Sequence, residues 1–234
     1  MATAYPSLTH VVIAMDGTAG AGKSSASRGV ATRLGLRYLD TGAMYRALTW
    51  EVLRSGTSPK DADAVAARAA EVAIDSGTDP SSPSIALDGL DVSREIRTDE
   101  VTAAVSAVSA VPKVRELMAA RQRREIGDGG IVVEGRDIGT VVAPDADLKV
   151  FLTANPSARA YRRAAELTAA HNRDIGFVEA DLARRDSADS SRAVSPLAVA
   201  DDAVTIDSTY LSLDAVIDTI VDLARRRVAV ADGG

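Results

Sequence analysis

The stretch G-T-A-G-A-G-K-S at residues 17–24 has the spacing G-x-x-x-x-G-K-[ST]. It lies between a short β-branched run, H-V-V-I-A-M-D (10–16), and a segment, 23–35, in which Ala26, Val30, Ala31 and Leu34 recur at helical spacing before Gly35. Strand, glycine loop and helix in that order predict an α/β fold of the P-loop NTPase type, with a helix start aimed at whatever the strand end presents. The glycines let backbone N–H groups turn toward an anion, and the helix start adds a favourable dipole. Gly17, Thr18, Ala19, Gly20, Ala21, Gly22, Lys23, Ser24 and Ser25 are therefore expected to cradle the phosphates of a nucleoside triphosphate such as ATP. Lys23 would reach the β and γ phosphates, and the Ser24 hydroxyl would face Mg²⁺. Motors, GTPases, transporters and small-molecule kinases share such a loop, so it does not say where the phosphate goes.

Further along, four short apolar runs (10–16, G-I-V-V-E-G-R-D, L-K-V-F-L-T-A and A-V-T-I-D) alternate with helical segments. At least four strands interleaved with helices predict a three-layer fold, a parallel sheet covered on both faces. A second helix is expected from about Ala43 to Arg54, with Asp40 and Thr41 at cap-like positions and Tyr45 and Trp50 as candidate core residues. Residues 57–98 change character: D-A-D-A-V-A-A-R-A-A-E-V-A-I-D reads as one helix, S-G-T-D-P-S-S-P-S as turns, and I-A-L-D-G-L-D-V-S-R-E-I as two short strands around Asp88-Gly89. Residues 98–127 read as helix broken at Pro112, 212–227 as a last helix, and R-R-D-S-A-D-S-S-R-A-V-S-P (184–196) as a loop-like cover. The implied organisation is core at 8–56, an insert at 57–107, core at 108–159, a lid at 160–195, and a C-terminal core strand and helix at 196–230.

Composition narrows the chemistry. With no cysteine and only His10 and His171, disulfides, a thiol nucleophile and a His or Cys metal site are not expected. A net charge of −6 argues against a general nucleic-acid binder, so any phosphate must be met by local arginines; R-Q-R-R-E (121–125) reads as a solvated helix face. The N-terminal M-A-T-A-Y-P-S-L-T-H carries neither a basic region nor an apolar stretch, and no run of 18 apolar residues occurs, so a cytoplasmic chain without a membrane span is expected.

The loop, Y-L-D-T-G-A-M-Y-R, D-V-S-R-E-I-R-T-D-E-V, P-K-V-R-E-L-M-A-A-R-Q-R, E-G-R-D-I-G-T-V-V and R-R-D-S-A-D-S-S-R-A-V-S-P-L together resemble the bacterial cytidylate kinases in order and approximate spacing, over almost the whole chain. The resemblance implies transfer of a phosphoryl group from ATP, with Mg²⁺, to CMP or dCMP, a nucleotide-binding insert and a lid. It gives Lys23, Arg46 and Arg136 the transferred and acceptor phosphates, and makes Arg162 and Arg163 lid arginines acting on the phosphoryl group. Thr41, Arg115, Asp137 and Arg192 would read the base, with Tyr45 beside them, and Ser106, Arg185 and Asp189 the sugar; Glu134 would join Ser24 at the metal, holding a bound water. Cytosine offers an N4 amino donor beside the N3 and O2 acceptors, so Asp137 can accept where Arg115 and Arg192 donate, and uracil would set a carbonyl against the carboxylate. The chain departs from the family pattern in three places. Thr41 stands where some members have Ser, Glu134 where many have Asp, and S-A-D-S-S-R lacks arginines that others carry. A monomer is expected. A UMP or dTMP kinase, a motor-like or regulatory nucleotide binder, and an inactive relative remain the rival readings.

Overall fold

The computed structural model of the chain describes residues 8–167 and 174–231; His171 and the stretch 168–173 of the expected lid lie outside them. In chain order the elements are β1 (Val12–Gly17), α1 (Lys23–Leu34), β2 (Arg37–Asp40), α2 (Thr41–Arg54), α3 (Ala62–Glu71), β3 (Ile74–Ser76), β4 (Ile85–Leu87) and β5 (Leu90–Asp91). There follow α4 (Asp99–Ala110), α5 (Pro112–Ile126), β6 (Ile131–Glu134), β7 (Leu148–Thr153), α6 (Pro156–Leu167), α7 (Ile175–Ser190), β8 (Val204–Asp207) and α8 (Leu213–Ala231). The central sheet has the order β2-β6-β1-β7-β8, and every neighbouring pair in it is parallel.

Strand alternation explains the layers. Ile13 and Met15 of β1, Val132 of β6 and Leu148, Val150 and Leu152 of β7 pack with α1 and α8 on one face. Ala14, Leu39, Ile131 and Val133 pack with α2 and α5 on the other. Strands buried on both faces read as continuous apolar runs, which is why four of them were legible. The fifth, β2, is R-Y-L-D and has only Tyr38 and Leu39 to signal it. Its existence rests on its neighbours: it pairs with β6 from Arg37↔Ile131 to Asp40↔Glu134. The Arg37 guanidinium donates to the carbonyls of Glu125, Ile126 and Gly129 at 2.7–2.9 Å, closing the end of α5. Asp40 is at once the last strand residue and the N-cap of α2, accepting the Ala43 N–H at 2.9 Å.

Residues 57–107 contain α3, a three-stranded antiparallel sheet and most of α4, and their apolar side chains merge with the core. Two expectations are corrected here. The Ala-rich segment is not helical through to Asp75: α3 stops at Glu71 and Ile74–Ser76 is a strand paired with β4. Arg121 Nη2 takes the Ala69 and Val72 carbonyls at 2.9 and 2.8 Å, and Asp88 accepts the Ala73 N–H at 2.8 Å, so side chains satisfy the backbone that further helix would have used. The stretch 184–196 is not loop throughout, because α7 runs to Ser190. Val178 and Leu182 bury one side of that helix against Ala19 and Ala160, and its acids form ion pairs. The Asp88-Gly89 turn is as expected, both residues having positive φ (51° and 79°). The loop beyond β3 covers the free edge of β2, since the Tyr38 N–H donates to the Thr78 carbonyl at 2.8 Å.

At the carboxyl end of β1, Asp16 is buried and its two oxygens accept the N–H groups of Ile138 and Gly139 at 2.8 and 2.7 Å. This clamp holds the single π-helical turn Ile138–Val142 that follows β6. Burial pushes the Asp16 carboxyl up to about 6 from 3.8, opposed by those two N–H groups and assisted by Asp137. The folded state therefore holds a proton on Asp16 more tightly than the unfolded chain, and this group withdraws stability as pH rises from about 4 to 6. In urea unfolding between those limits, the stability of the wild type minus that of Asp16→Asn is expected to fall as pH rises. A difference that grows with pH would show the charged carboxylate to be the favoured form.

Candidate active site

The carboxyl ends of β1 and β6 and the starts of α1 and α2 surround a cavity of about 540 Å³. The loop after β1 forms one wall. Gly17 has φ 144°, and a Cβ there would lie 1.9 Å from the Leu152 carbonyl oxygen on β7, so the loop can leave the sheet this close to its neighbour only with glycine. Lys23 Nζ donates to the carbonyls of Gly17 and Thr18 at 3.0 and 2.8 Å. Burial, and next the charge of Arg136, push the Lys23 ammonium pKa down, while Glu134, Asp16 and Asp186 pull it back up.

Among the described residues, the wall carries eight basic side chains (Lys23, Arg46, Arg97, Arg115, Arg136, Arg163, Arg185 and Arg192) against four acidic ones (Asp40, Glu134, Asp137 and Asp189). In a chain of net charge −6, that concentration of cations suits the cavity to an anion. Arg46, on α2, donates through Nη1 to Thr102 Oγ1 at 3.0 Å and to the Ile96 carbonyl at 3.3 Å. Burial and the guanidinium groups of Arg185 and Arg163 push its pKa down, a cost that a polyanion would relieve. Burial, then Arg136, does the same to Arg185.

Acids hold Arg115, Arg136 and Arg192 in place. Arg115 Nη2 meets Asp137 Oδ2 at 2.5 Å with both side chains buried, and its Nη1 donates to the Ser109 carbonyl at 3.2 Å. The Tyr45 ring lies 5.4 Å from the Arg115 guanidinium, and burial raises the Tyr45 phenol to about 12. Asp189 Oδ2 accepts from Arg136 Nε at 2.8 Å and its Oδ1 from Arg192, while Arg136 Nη1 also donates to the Gly17 carbonyl. Arg192 Nη2 further donates to Ser109 Oγ at 3.3 Å.

Glu134, at the end of β6, accepts from the Tyr38 hydroxyl through Oε1 at 2.8 Å, and its buried Oε2 has no direct hydrogen-bond partner among the described residues. Burial, and next Asp40, push its carboxyl pKa up, with Lys23 and Ser24 acting against them. An unsatisfied carboxylate oxygen beside the Ser24 hydroxyl suits a hard cation or its water. No three His, Cys, Asp or Glu side chains converge to hold a metal among the described residues, so such a cation would take most of its ligands from phosphate and water.

Of the residues expected from the sequence, Ala19, Gly20, Gly22, Lys23, Ser24, Ser25, Thr41, Tyr45, Arg46, Ser106, Arg115, Glu134, Arg136, Asp137, Arg163, Arg185, Asp189 and Arg192 line this one cavity. Thr41 uses its hydroxyl to bind the Glu134 carbonyl at 2.7 Å, which ties α2 to β6. Arg162 is not in the cavity wall: its guanidinium donates to the Ser208 Oγ and carbonyl at 2.9 and 2.6 Å, behind the loop. Gly17, Thr18 and Ala21 shape the loop without lining the cavity. Sequence reading missed Asp16, Arg97 and Thr102 as site residues, although Arg97 lies within the block D-V-S-R-E-I-R-T-D-E-V and Asp16 ends the first apolar run. The run 121–125 is not merely a solvated face, because Arg121 and Arg123 bind backbone carbonyls of α3 and of the π-helical turn.

Residues 13–226 match the protein-family model described as cytidylate kinase. A relative named cytidylate kinase from Streptomyces griseus subsp. griseus is 54% identical over 224 residues, 94% of this chain and 96% of its own. Another of the same name from Rhodococcus opacus is 54% identical over 226 residues, 96% of this chain and 99% of its own. The crystal structure of an uncharacterized protein from Eubacterium ventriosum superposes with a TM-score of 0.51 over 93% of this chain and 99% of that one at 10% identity, a likeness of fold alone. With a phosphate loop, an arginine-walled cavity and matching relatives along nearly its full length, the chain belongs to the cytidylate kinase family.

Proposed function

We propose that the chain transfers the γ-phosphoryl group of ATP to CMP or dCMP, giving ADP and CDP or dCDP. The observation that carries this reading is that one cavity joins the phosphate loop to the buried Arg115–Asp137 pair, so a triphosphate and a base-bearing acceptor can meet in it. A phosphate oxygen of the acceptor attacks the γ phosphorus as the bond to the β-phosphate oxygen breaks, and ADP leaves. The attacking oxygen is already an anion, so no general base is required; charge neutralisation and in-line placement do the work.

Lys23 would leave its loop carbonyls for the β and γ phosphates, and Arg46, Arg136 and Arg163 would gather the transferring and acceptor phosphates. Asp137 would accept from the cytosine amino group while Arg115 and Arg192 donate to N3 and O2; Ser106, Arg185 and Asp189 would hold the pentose. Thr41 and Tyr45 would close the base pocket. Ser24 and Glu134 are the residues suited to Mg²⁺, which when bound to the triphosphate neutralises its β and γ oxygens. Arg162 would act from its Ser208 station on the donor side. Residues 57–107 and 160–195 would be the nucleotide-binding insert and the lid, whose closure excludes water and suppresses ATP hydrolysis. The chain would work as a cytoplasmic monomer without nucleic acid; its net charge of −6 supports the last point, and no described helix is long and apolar enough to cross a membrane.

Two measurements test this. ADP formation from Mg-ATP against CMP, dCMP, UMP, AMP, GMP and dTMP is expected to be dominated by CMP and dCMP. Asp137→Ala should erase most of the preference over UMP and lower kcat/KM for CMP by about 10² or more, because polar groups of the base pocket are left unpaired; UMP or a purine winning in the wild type would overturn the acceptor assignment. Arg136→Lys keeps one charge but loses the fork that spans Asp189 and Gly17. Its kcat is expected to drop by about 10²-fold, and a kcat within threefold of wild type would remove Arg136 from the phosphoryl-transfer step.

A further inference from the structure

Two charged residues packed against the phosphate loop take no part in the chemistry above: Arg159 on α6 and Asp186 on α7. The Ala19 N–H donates to Asp186 Oδ1 at 2.8 Å, Arg159 Nη1 donates to the Ala19 carbonyl at 3.0 Å, and Arg159 pairs with the second Asp186 oxygen. Both backbone groups of one loop residue are thus held from the two helices of the expected lid. Around them Ala19, Ala160, Val178 and Leu182 form a small apolar core of their own. The fit extends to Gly20, where a Cβ would lie 3.2 Å from the Arg159 carbonyl oxygen and from Leu182 Cδ1. The charge of Asp186 also acts on the Lys23 ammonium.

The placement separates two jobs on one helix. Asp186 grips the donor loop, whereas Asp189, one turn further along α7, grips Arg136 and Arg192. With its N–H committed to Asp186, Ala19 cannot offer that group to a phosphate, so the anion is left to the N–H groups that follow it in the loop. We propose that Arg159 and Asp186 are a positioning pair for the donor half of the site, fixing the Ala19 peptide so that the rest of the loop faces the triphosphate when α6 and α7 are seated. The proposal rests on the reading of this loop as the ATP site. Because the ion pair is nearly buried and each member also binds the loop backbone, neither residue can be lost without leaving the other and one Ala19 backbone group unsatisfied.

The test is calorimetric titration of the full chain with a non-hydrolysable ATP analogue in Mg²⁺ and, separately, with CMP, alongside thermal melting. Asp186→Ala and Arg159→Gln are each expected to weaken the analogue about tenfold, the size of a lost charge-assisted hydrogen bond, and to leave CMP within about twofold. Asp186→Asn keeps an acceptor for the Ala19 N–H and should recover part of the loss. The double variant Arg159→Gln with Asp186→Asn leaves no buried charge unpaired; it keeps the chain folded for the assay and should cost no more than the worse single change. A purely structural role would loosen α7, carry Asp189 and Arg192 with it, and weaken both ligands equally; that result, or analogue affinities all within twofold of wild type, overturns the proposal. A wild type that binds the analogue but not CMP overturns the acceptor reading instead, and the ratio of analogue affinities still decides the pair.

Discussion

Asp16 accepts the N–H groups of Ile138 and Gly139 from the end of the central strand, and the rest of the site depends on that contact. It sits immediately before the phosphate loop in the chain and binds the backbone just after Arg136 and Asp137, so one carboxylate registers the loop against the turn that follows β6. Arg136 spans the same junction by donating to the Gly17 carbonyl. Without such a tie, the two loops would share a sheet edge but not a fixed distance. The cost is a carboxylate held away from water, offset by two backbone donors that would themselves be unsatisfied if it were absent.

The arginines follow a consistent division. Burial lowers the pKa values of Arg46 and Arg185, helped at Arg46 by Arg185 and Arg163 and at Arg185 by Arg136, so this part of the wall crowds like charges that an anionic ligand would relieve. Others are held by acids: Arg115 by Asp137, and Arg136 and Arg192 by the two oxygens of Asp189. A paired guanidinium is fixed in direction as well as charge, which suits the proposed reading of a planar base. Two acids of α7 thereby serve different ends of the cavity, Asp186 the loop and Asp189 the arginines. Among the described residues, the same helix buries Val178 and Leu182 in a small cluster with Ala19 and Ala160, apart from the two larger cores.

Much of this was legible in the chain itself. The strand, loop and helix at 10–35 follow from the loop spacing together with the β-branched run before it and the helical periodicity after it. The continuous apolar strands, the break at Pro112 and the Asp88-Gly89 hairpin were equally readable, because each depends on residues adjacent in sequence. The order of blocks along the chain sufficed for the family, and most residues it implicated do border one cavity. What escaped were features whose cause lies elsewhere in the chain. Strand β2 exists because β6 pairs with it and the end of α5 needs Arg37; α3 ends where Arg121 and Asp88 take its carbonyls and the next N–H; Asp16, Arg159 and Asp186 look like ordinary charges until the fold brings their backbone partners within 3.0 Å. Local sequence determined the phosphate loop, the alternation of strands and helices and the kind of chemistry, since conformational preference and burial periodicity act over a few residues. Tertiary structure alone decided which charged groups pair, which are left free for an anion, and where Arg162 and Arg163 part company, because an ion pair or a buried donor is set by distance in space and not by separation along the chain.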